Sequence, residues 1–284
     1  MCNQEIIRSA AMVTRSDHRR RLTRRTAIGG GLGLAAAASM RAPTGRARGQ
    51  GDAALASRQV VDLTHRLSPE FPVYPGYTPF SATVTSTIDG IGSLSRQVTM
   101  EEHVGTHVDA PAHFIAGSDD VSAIPPERLV APLAILDIAA RVRDDDDATV
   151  SVDDILAWED EHGLLPAGSF VAMRSGWDSR ASDADAFLNV GDDGLLHFPA
   201  WSPAAAAFLV EERDIVGVGV DTISMDNTTS PTFESHVILL GAGLYGVENL
   251  AGLGDVPVAN ATIVVGAPRF AEGSGGPARV LALI

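Results

Sequence analysis

The chain has 284 residues with 21 basic and 36 acidic side chains, a formal net charge of −15. Every basic residue is arginine, which excludes Schiff-base and lysine-activated chemistry, and the only cysteine is Cys2, which excludes disulfides, thiolate ligands and a cysteine nucleophile in the rest of the chain. The acidic balance argues against nucleic acid and anionic membranes as partners.

Residues 1–50 differ in composition from the remainder of the chain, with ten arginines against two acids. Arg24-Arg25 leads into the uncharged run TAIGGGLGLAAAASM, Thr26 to Met40. A basic region followed by a short stretch of small apolar residues has the form of a twin-arginine export signal. The run is shorter than the roughly 20 residues a spanning helix needs. The expectation is export to a periplasmic or extracellular location, with cleavage after Ala38 or after Ala56 and no membrane association afterwards. Residues 1–50 then form the signal and a flexible linker, and residues 51–284 form one domain. Without the first 50 residues, 11 arginines face 34 acids, a net of −23.

Short β-branched runs recur along the second part: 59–64, 81–88, 95–100, 133–138, 169–175, 215–222, 261–267 and the final ARVLALI. They read as strands, several with the continuous apolar character of buried ones. Three helices lie between them. SVDDILAWEDEHG has Ser151 as N-cap and Asp154 at N3, places Val152, Ile155 and Leu156 on one face and stops at Gly163. SPAAAAFLVEE opens with Ser202 as cap and Pro203 at the first helical position. SPTFESHVILLG has the same opening at Ser230-Pro231 and ends at Gly241. Arg143 to Asp147, RDDDD, reads as a solvated loop, its spacing wrong for a calcium loop. The pattern is α/β with more strands than helices, which predicts a single domain with a mixed sheet.

The chemistry concentrates in HVGTHVDAPAHF, His103 to Phe114, which holds three of the eight histidines. His103, Gly105, His107 and Asp109 fall two apart, on one face of a strand. In a straight strand His103 and His107 would stand roughly 13 Å apart, too far to converge on one ion. Gly105 can take backbone angles closed to other residues, which predicts a bend there. Pro111 stops a central strand and redirects His113. Remote ligands are still needed, and the best candidates are His236 and Glu248. Five nitrogen and oxygen ligands suit Zn, Mn or Fe, and two ions if Asp109 bridges. His18, His65, His162 and His197 read as surface or satisfied core histidines. GAGLYG, Gly241 to Gly246, matches a dinucleotide pattern, but a helix precedes it and no acid lies beyond it at the right distance; its glycines are expected to cap the helix and turn the chain toward Glu248.

These segments resemble the metal-dependent cyclase family, which includes bacterial kynurenine formamidases and isatin hydrolases. The resemblance rests on HVGTHVDAPAHF, YPGY (74–77), MRSGW (173–177), GVGVDTISMD (217–226), HVILLGAGLYGVENL (236–250) and GGPARVLAL, the last nearer the isatin-hydrolase side. It implies a swivelling β/β/α-type domain, assembled as a homodimer or higher homo-oligomer. It implies that His103, His107 and Asp109 hold the principal ion, Mn or Zn, that His236 and Glu248 complete it or hold a second ion with Asp109, and that His113 is the general acid/base. Ser224 falls in a pocket-lining segment. The export signal is a departure from the family pattern.

The residue types also support amide hydrolysis by themselves. A divalent ion acidifies bound water and polarises a carbonyl, and a histidine can move the proton. No Gly-x-Ser-x-Gly is present to supply an activated serine. Few charges surround the pocket segments, so the expected substrate is a small aromatic amide, an isatin-like lactam or an N-formyl aryl amide, walled by Tyr74, Phe80 and Trp177. Two other readings compete. His107, Asp109 and His236 satisfy the two-His-one-carboxylate triad of an Fe(II) oxygenase. An exported, non-catalytic metal- or ligand-binding protein would use the same ligands without needing His113.

Overall fold

The computed structural model describes residues 58–227, 230 and 232–284. The segment expected to be an export signal and Pro231 lie outside the described residues. In chain order the strands are β1 (Val60–Asp62), β2 (Ser81–Ser86), β3 (Ser95–Thr99), β4 (His107–Asp109), β5 (Val130–Asp137), β6 (Thr149–Val150), β7 (Ser169–Arg174), β8 (Ala200–Trp201), β9 (Ile215–Val220), β10 (Tyr245–Glu248), β11 (Ala261–Gly266), β12 (Gly275–Pro277) and β13 (Arg279–Leu283). The three longer helices are α1 (Val152–His162), α2 (Pro203–Glu212) and α3 (Glu234–Gly241).

Nine strands form one sheet in the order β1-β13-β11-β5-β7-β9-β10-β4-β12. The pairs β5·β7, β7·β9 and β9·β10 are parallel, and the remaining pairs in the sheet are antiparallel, so the sheet is mixed as expected. Successive side chains alternate between two cores, as a period of two demands. Along β5, Ala134 and Leu136 join the core beneath the helices, with Ile155 of α1, Leu209 of α2 and Leu239 of α3. Leu133 and Ile135 join the other core. That second core draws on Val108 near one end of the strand order and on Ile263, Val280 and Ala282 near the other. The sheet therefore curls over it.

Helix α1 has the expected capping box: Ser151 accepts the Asp154 N–H, and Asp154 accepts the Ser151 N–H. Its buried face is Ile155 with Glu159, and Leu156 is exposed, a correction to the expected stripe. Glu159 goes inside because Arg213 and the Leu165 N–H satisfy its carboxylate. Helix α2 starts as read, with Ser202 capping the Ala205 N–H and Pro203 in the first turn. Helix α3 starts later than its Ser-Pro opening suggests, with Phe233 as N-cap at φ 52°. Ser230 nonetheless reaches the Glu234 N–H with its side chain. GAGLYG turns the chain from α3 into β10. In the acidic loop, Asp146 pairs with Arg180 and Asp147 with His197, so part of it is tied down rather than solvated. No helix among the described residues is long and apolar enough to cross a membrane.

β2 and β3 form a separate antiparallel ribbon in which no residue is buried. The main sheet brings β4 alongside the carboxyl end of β10. Glu248 pairs in register with His107, and Gly246 with Asp109.

Candidate metal centre and active site

Gly105 sits at φ 70°, a conformation that favours glycine, and the bend expected there is present. Strand β4 begins only at His107. The rings of His103 and His107 come to 5.2 Å between centroids instead of the separation of a straight strand. Gly275 on β12 makes the fit possible: a Cβ there would lie 2.6 Å from His103 Cε1 and 2.3 Å from the Val108 carbonyl oxygen.

Five side chains converge. His103 Nδ1 lies 2.6 Å from Asp109 Oδ1, and His107 Nε2 lies 3.3 Å from the same oxygen and 3.4 Å from Glu248 Oε2. His236 Nε2 is 3.1 Å from Glu248 Oε1 and 3.6 Å from Asp109 Oδ2. Two triads each bring their donor atoms close enough to share an ion, His103–His107–Asp109 and Asp109–His236–Glu248, with Asp109 common to both. His107 donates Nδ1–H to the Gly105 carbonyl, which leaves Nε2 facing the carboxylates.

The donor set fits a cation on two grounds. His107 Nε2 and Asp109 Oδ2 are buried and make no hydrogen bond, an arrangement costly in a protein interior unless something else occupies it. The field also calls for positive charge. Burial opposes a charged His107, yet Asp109 and Glu248 raise its pKa to about 10. Burial likewise opposes a charged His236, and Asp109, Asp226 and Glu248 hold it well above the usual histidine value. Burial favours a neutral Asp109, but His103 and His107 keep its carboxyl well below the usual range.

His113 stands apart. It ends the short turn Pro111–His113 and stacks on His103 at 3.8 Å between ring centroids and 21° between planes. Burial, the largest influence, lowers its pKa to about 3, so the ring is neutral at neutral pH.

These groups open on a cavity of about 260 Å³ lined by Tyr74, Tyr77, Phe114, Ile223, Ser224 and Phe233 together with His103, His113, His236 and Glu248. No arginine stands among these lining residues. Of the expected walls, Tyr74 and Ser224 are present. Trp177 is 1% exposed within the core beneath the helices, its Nε1–H donated to the Phe187 carbonyl. Phe80 also lies outside the lining. Both are core and connector residues by position.

Other contributors carried no sequence signal of their own. Phe114 and Phe233 flank His236. The Met225 N–H donates to Glu248 Oε1 at 2.9 Å. Ser274 donates to Glu102 at 2.6 Å and accepts from His103 Nε2 at 2.8 Å. The glycines flanking Ser274 hint at close approach, but nothing in the sequence says to what.

The chain matches the Cyclase family over residues 61–227. It belongs to that family. Isatin hydrolase from Roseibium aggregatum is 34% identical over 243 residues, covering 80% of this chain and 92% of that one. Kynurenine formamidase from Paracidovorax citrulli is 24% identical over 231 residues, 79% of this chain and 96% of that one. Isatin hydrolase A from Ralstonia solanacearum superposes with a TM-score of 0.78 at 37% identity, covering 87% of this chain and all of the other. An isatin hydrolase bound to the product analogue thioisatinate gives a TM-score of 0.77 at 32% identity, covering 82% and 95%. Membership in the Cyclase family, with the mixed sheet and the buried donor set, places this chain among metal-dependent hydrolases of amide C–N bonds.

Proposed function

We propose that the chain hydrolyses a small cyclic or aryl amide, an isatin-like lactam or an N-formyl aryl amide, with His103, His107, Asp109, His236 and Glu248 holding one or two divalent ions, Mn or Zn. The observation that carries this reading is the convergence of two donor triads on Asp109 at one end of an aromatic cavity. A divalent ion bound there would acidify a water and polarise a carbonyl oxygen.

The protein's own groups do the rest. Tyr74, Tyr77, Phe114 and Phe233 offer flat apolar walls to an aromatic ring, and Ser224 offers a hydroxyl. His113, neutral and held by its stack on His103, takes a proton from the attacking water and delivers it to the leaving nitrogen. With no arginine among the lining residues to pair a substrate carboxylate, uncharged amides suit the cavity.

The Fe(II) oxygenase reading uses only His107, Asp109 and His236 and gives His103 and Glu248 no role, although His103 lies 2.6 Å from Asp109, and Glu248 lies 3.4 Å from His107 and 3.1 Å from His236. A pure binding protein gives His113 no role. Purified protein assayed with Mn or Zn on an isatin-like lactam and on an N-formyl aryl amide tests the proposal: ring opening or deformylation is expected, and no turnover of any cyclic or aryl amide overturns it.

The Arg24-Arg25 signal supports export. The β2–β3 ribbon exposes Val84 and Val98, and the connection between its strands exposes Ile88, Ile91 and Leu94. A lone two-stranded ribbon is marginal in water, so a second copy of the chain is its proposed cover in a homo-oligomer.

A further inference from the structure

We infer that Asp226 is the positioning residue for His236 and sets the affinity of the Asp109–His236–Glu248 triad for a divalent cation, an inference that rests on the metal-centre reading above. Asp226 is 2% exposed and uses both carboxylate oxygens. Oδ1 accepts the Ser235 N–H at 2.9 Å. Oδ2 accepts the His236 N–H at 2.9 Å and the His236 ring at Nδ1 at 2.7 Å.

The arrangement replaces a missing cap. Helix α3 begins behind Phe233, which provides no side-chain hydrogen bond. The first N–H groups of a helix have no partner within it, and Asp226 supplies two from the loop after β9. One carboxylate thus anchors both the start of the helix and the imidazole on its first turn. The ring cannot rotate without giving up a bond to the group that holds its own backbone.

A carboxylate only accepts, so His236 carries its proton on Nδ1 and turns Nε2 toward Glu248 and Asp109. Met225, the neighbour of Asp226, holds Glu248 through its N–H. Two consecutive residues thereby fix two of the three donors. Gly246 leaves room for this loop, since a Cβ there would lie 2.6 Å from Met225 Cε.

Asp226→Asn keeps the volume but removes the charge, and in either flip its NH2 faces an N–H that needs an acceptor, Ser235's or His236's. The imidazole loses its anionic anchor, and with it basicity at Nε2 and a fixed orientation. The test measures Mn(II) and Zn(II) affinity by chelator competition, and the melting temperature of metal-free protein, for wild type, Asp226→Asn, Asp226→Glu and Ser235→Ala. Asp226→Asn is expected to weaken binding about 10- to 100-fold. Ser235→Ala loses only the bond from its hydroxyl to the Trp201 carbonyl; it lowers the melting temperature and leaves affinity within about threefold. Should the Asn variant not fold, Asp226→Glu decides: its longer arm displaces the ring, and affinity falls by more than about threefold. Wild-type affinity in the Asn variant, or in the Glu variant where the Asn variant does not fold, overturns the inference. So does an equal loss in Ser235→Ala, which would mean general loosening of the helix. A wild-type protein that binds neither ion fails the metal-centre reading itself, a result distinct from either.

Discussion

His113→Ala separates binding from chemistry. The ring stacks on His103 and lines the cavity, but it belongs to neither donor triad. Removing it therefore leaves all five proposed ligands in place. A positioned general acid/base contributes about 10²- to 10⁴-fold in rate, or about 2.7–5.4 kcal/mol of transition-state stabilisation. The lost stack costs about 0.5–1.5 kcal/mol beyond the buried area it removes. The assay pairs kcat for lactam opening with metal content by elemental analysis on the same preparation. The expected result is unchanged metal and a kcat at least 100-fold lower. A kcat within tenfold of wild type would refute the proton-carrier role, and loss of the metal would make His113 a ligand instead.

Three other perturbations test the same structure. Gly275→Ala forces a Cβ against the Val108 carbonyl and the His103 ring; it should cost about 1–3 kcal/mol, roughly 2–4 °C per kcal/mol in melting temperature, and weaken metal binding, read by thermal denaturation and chelator competition. His197 is paired with Asp147 and Asp193, which raise its pKa above the usual histidine value. A raised folded value stabilises fully below the unfolded pKa of about 6.5 and is lost as pH rises through the folded value, so the melting-temperature gap between wild type and His197→Gln should be largest in acid and shrink in alkali, and a gap that widens with pH would contradict it. Replacing Ile88 and Ile91, in the connection between β2 and β3, with aspartate should shift the proposed homo-oligomer to monomer in light scattering after size exclusion, whereas an unchanged assembly would exclude this end of the ribbon as the contact.

Much of this was legible in the sequence because local rules coincided with the fold. Ser151 and Asp154 formed their capping box, Pro203 opened its helix, and the β-branched runs became strands, because capping and alternation act within a few residues. The need for a bend at Gly105 came from the impossible span between two histidines on a straight strand. What stayed hidden depends on distant partners. Glu159 is buried in place of Leu156 because Arg213, 54 residues on, neutralises it. The late start of α3 and the role of Asp226 arise because a carboxylate ten residues upstream of His236 caps the helix from outside. Trp177 read as a pocket wall because aromatic residues suit walls and cores alike; it lies in the same core that Ile223 carries to the cavity, but fully buried within it.

The most direct test of the central claim is turnover as a function of bound metal. Protein stripped with a chelator should neither open an isatin-like lactam nor deformylate an aryl formamide, and adding back Mn or Zn should restore turnover in proportion to the ion bound, saturating at one or two equivalents per chain. Full turnover by metal-free protein, or no turnover at saturating metal on either amide, would contradict the account.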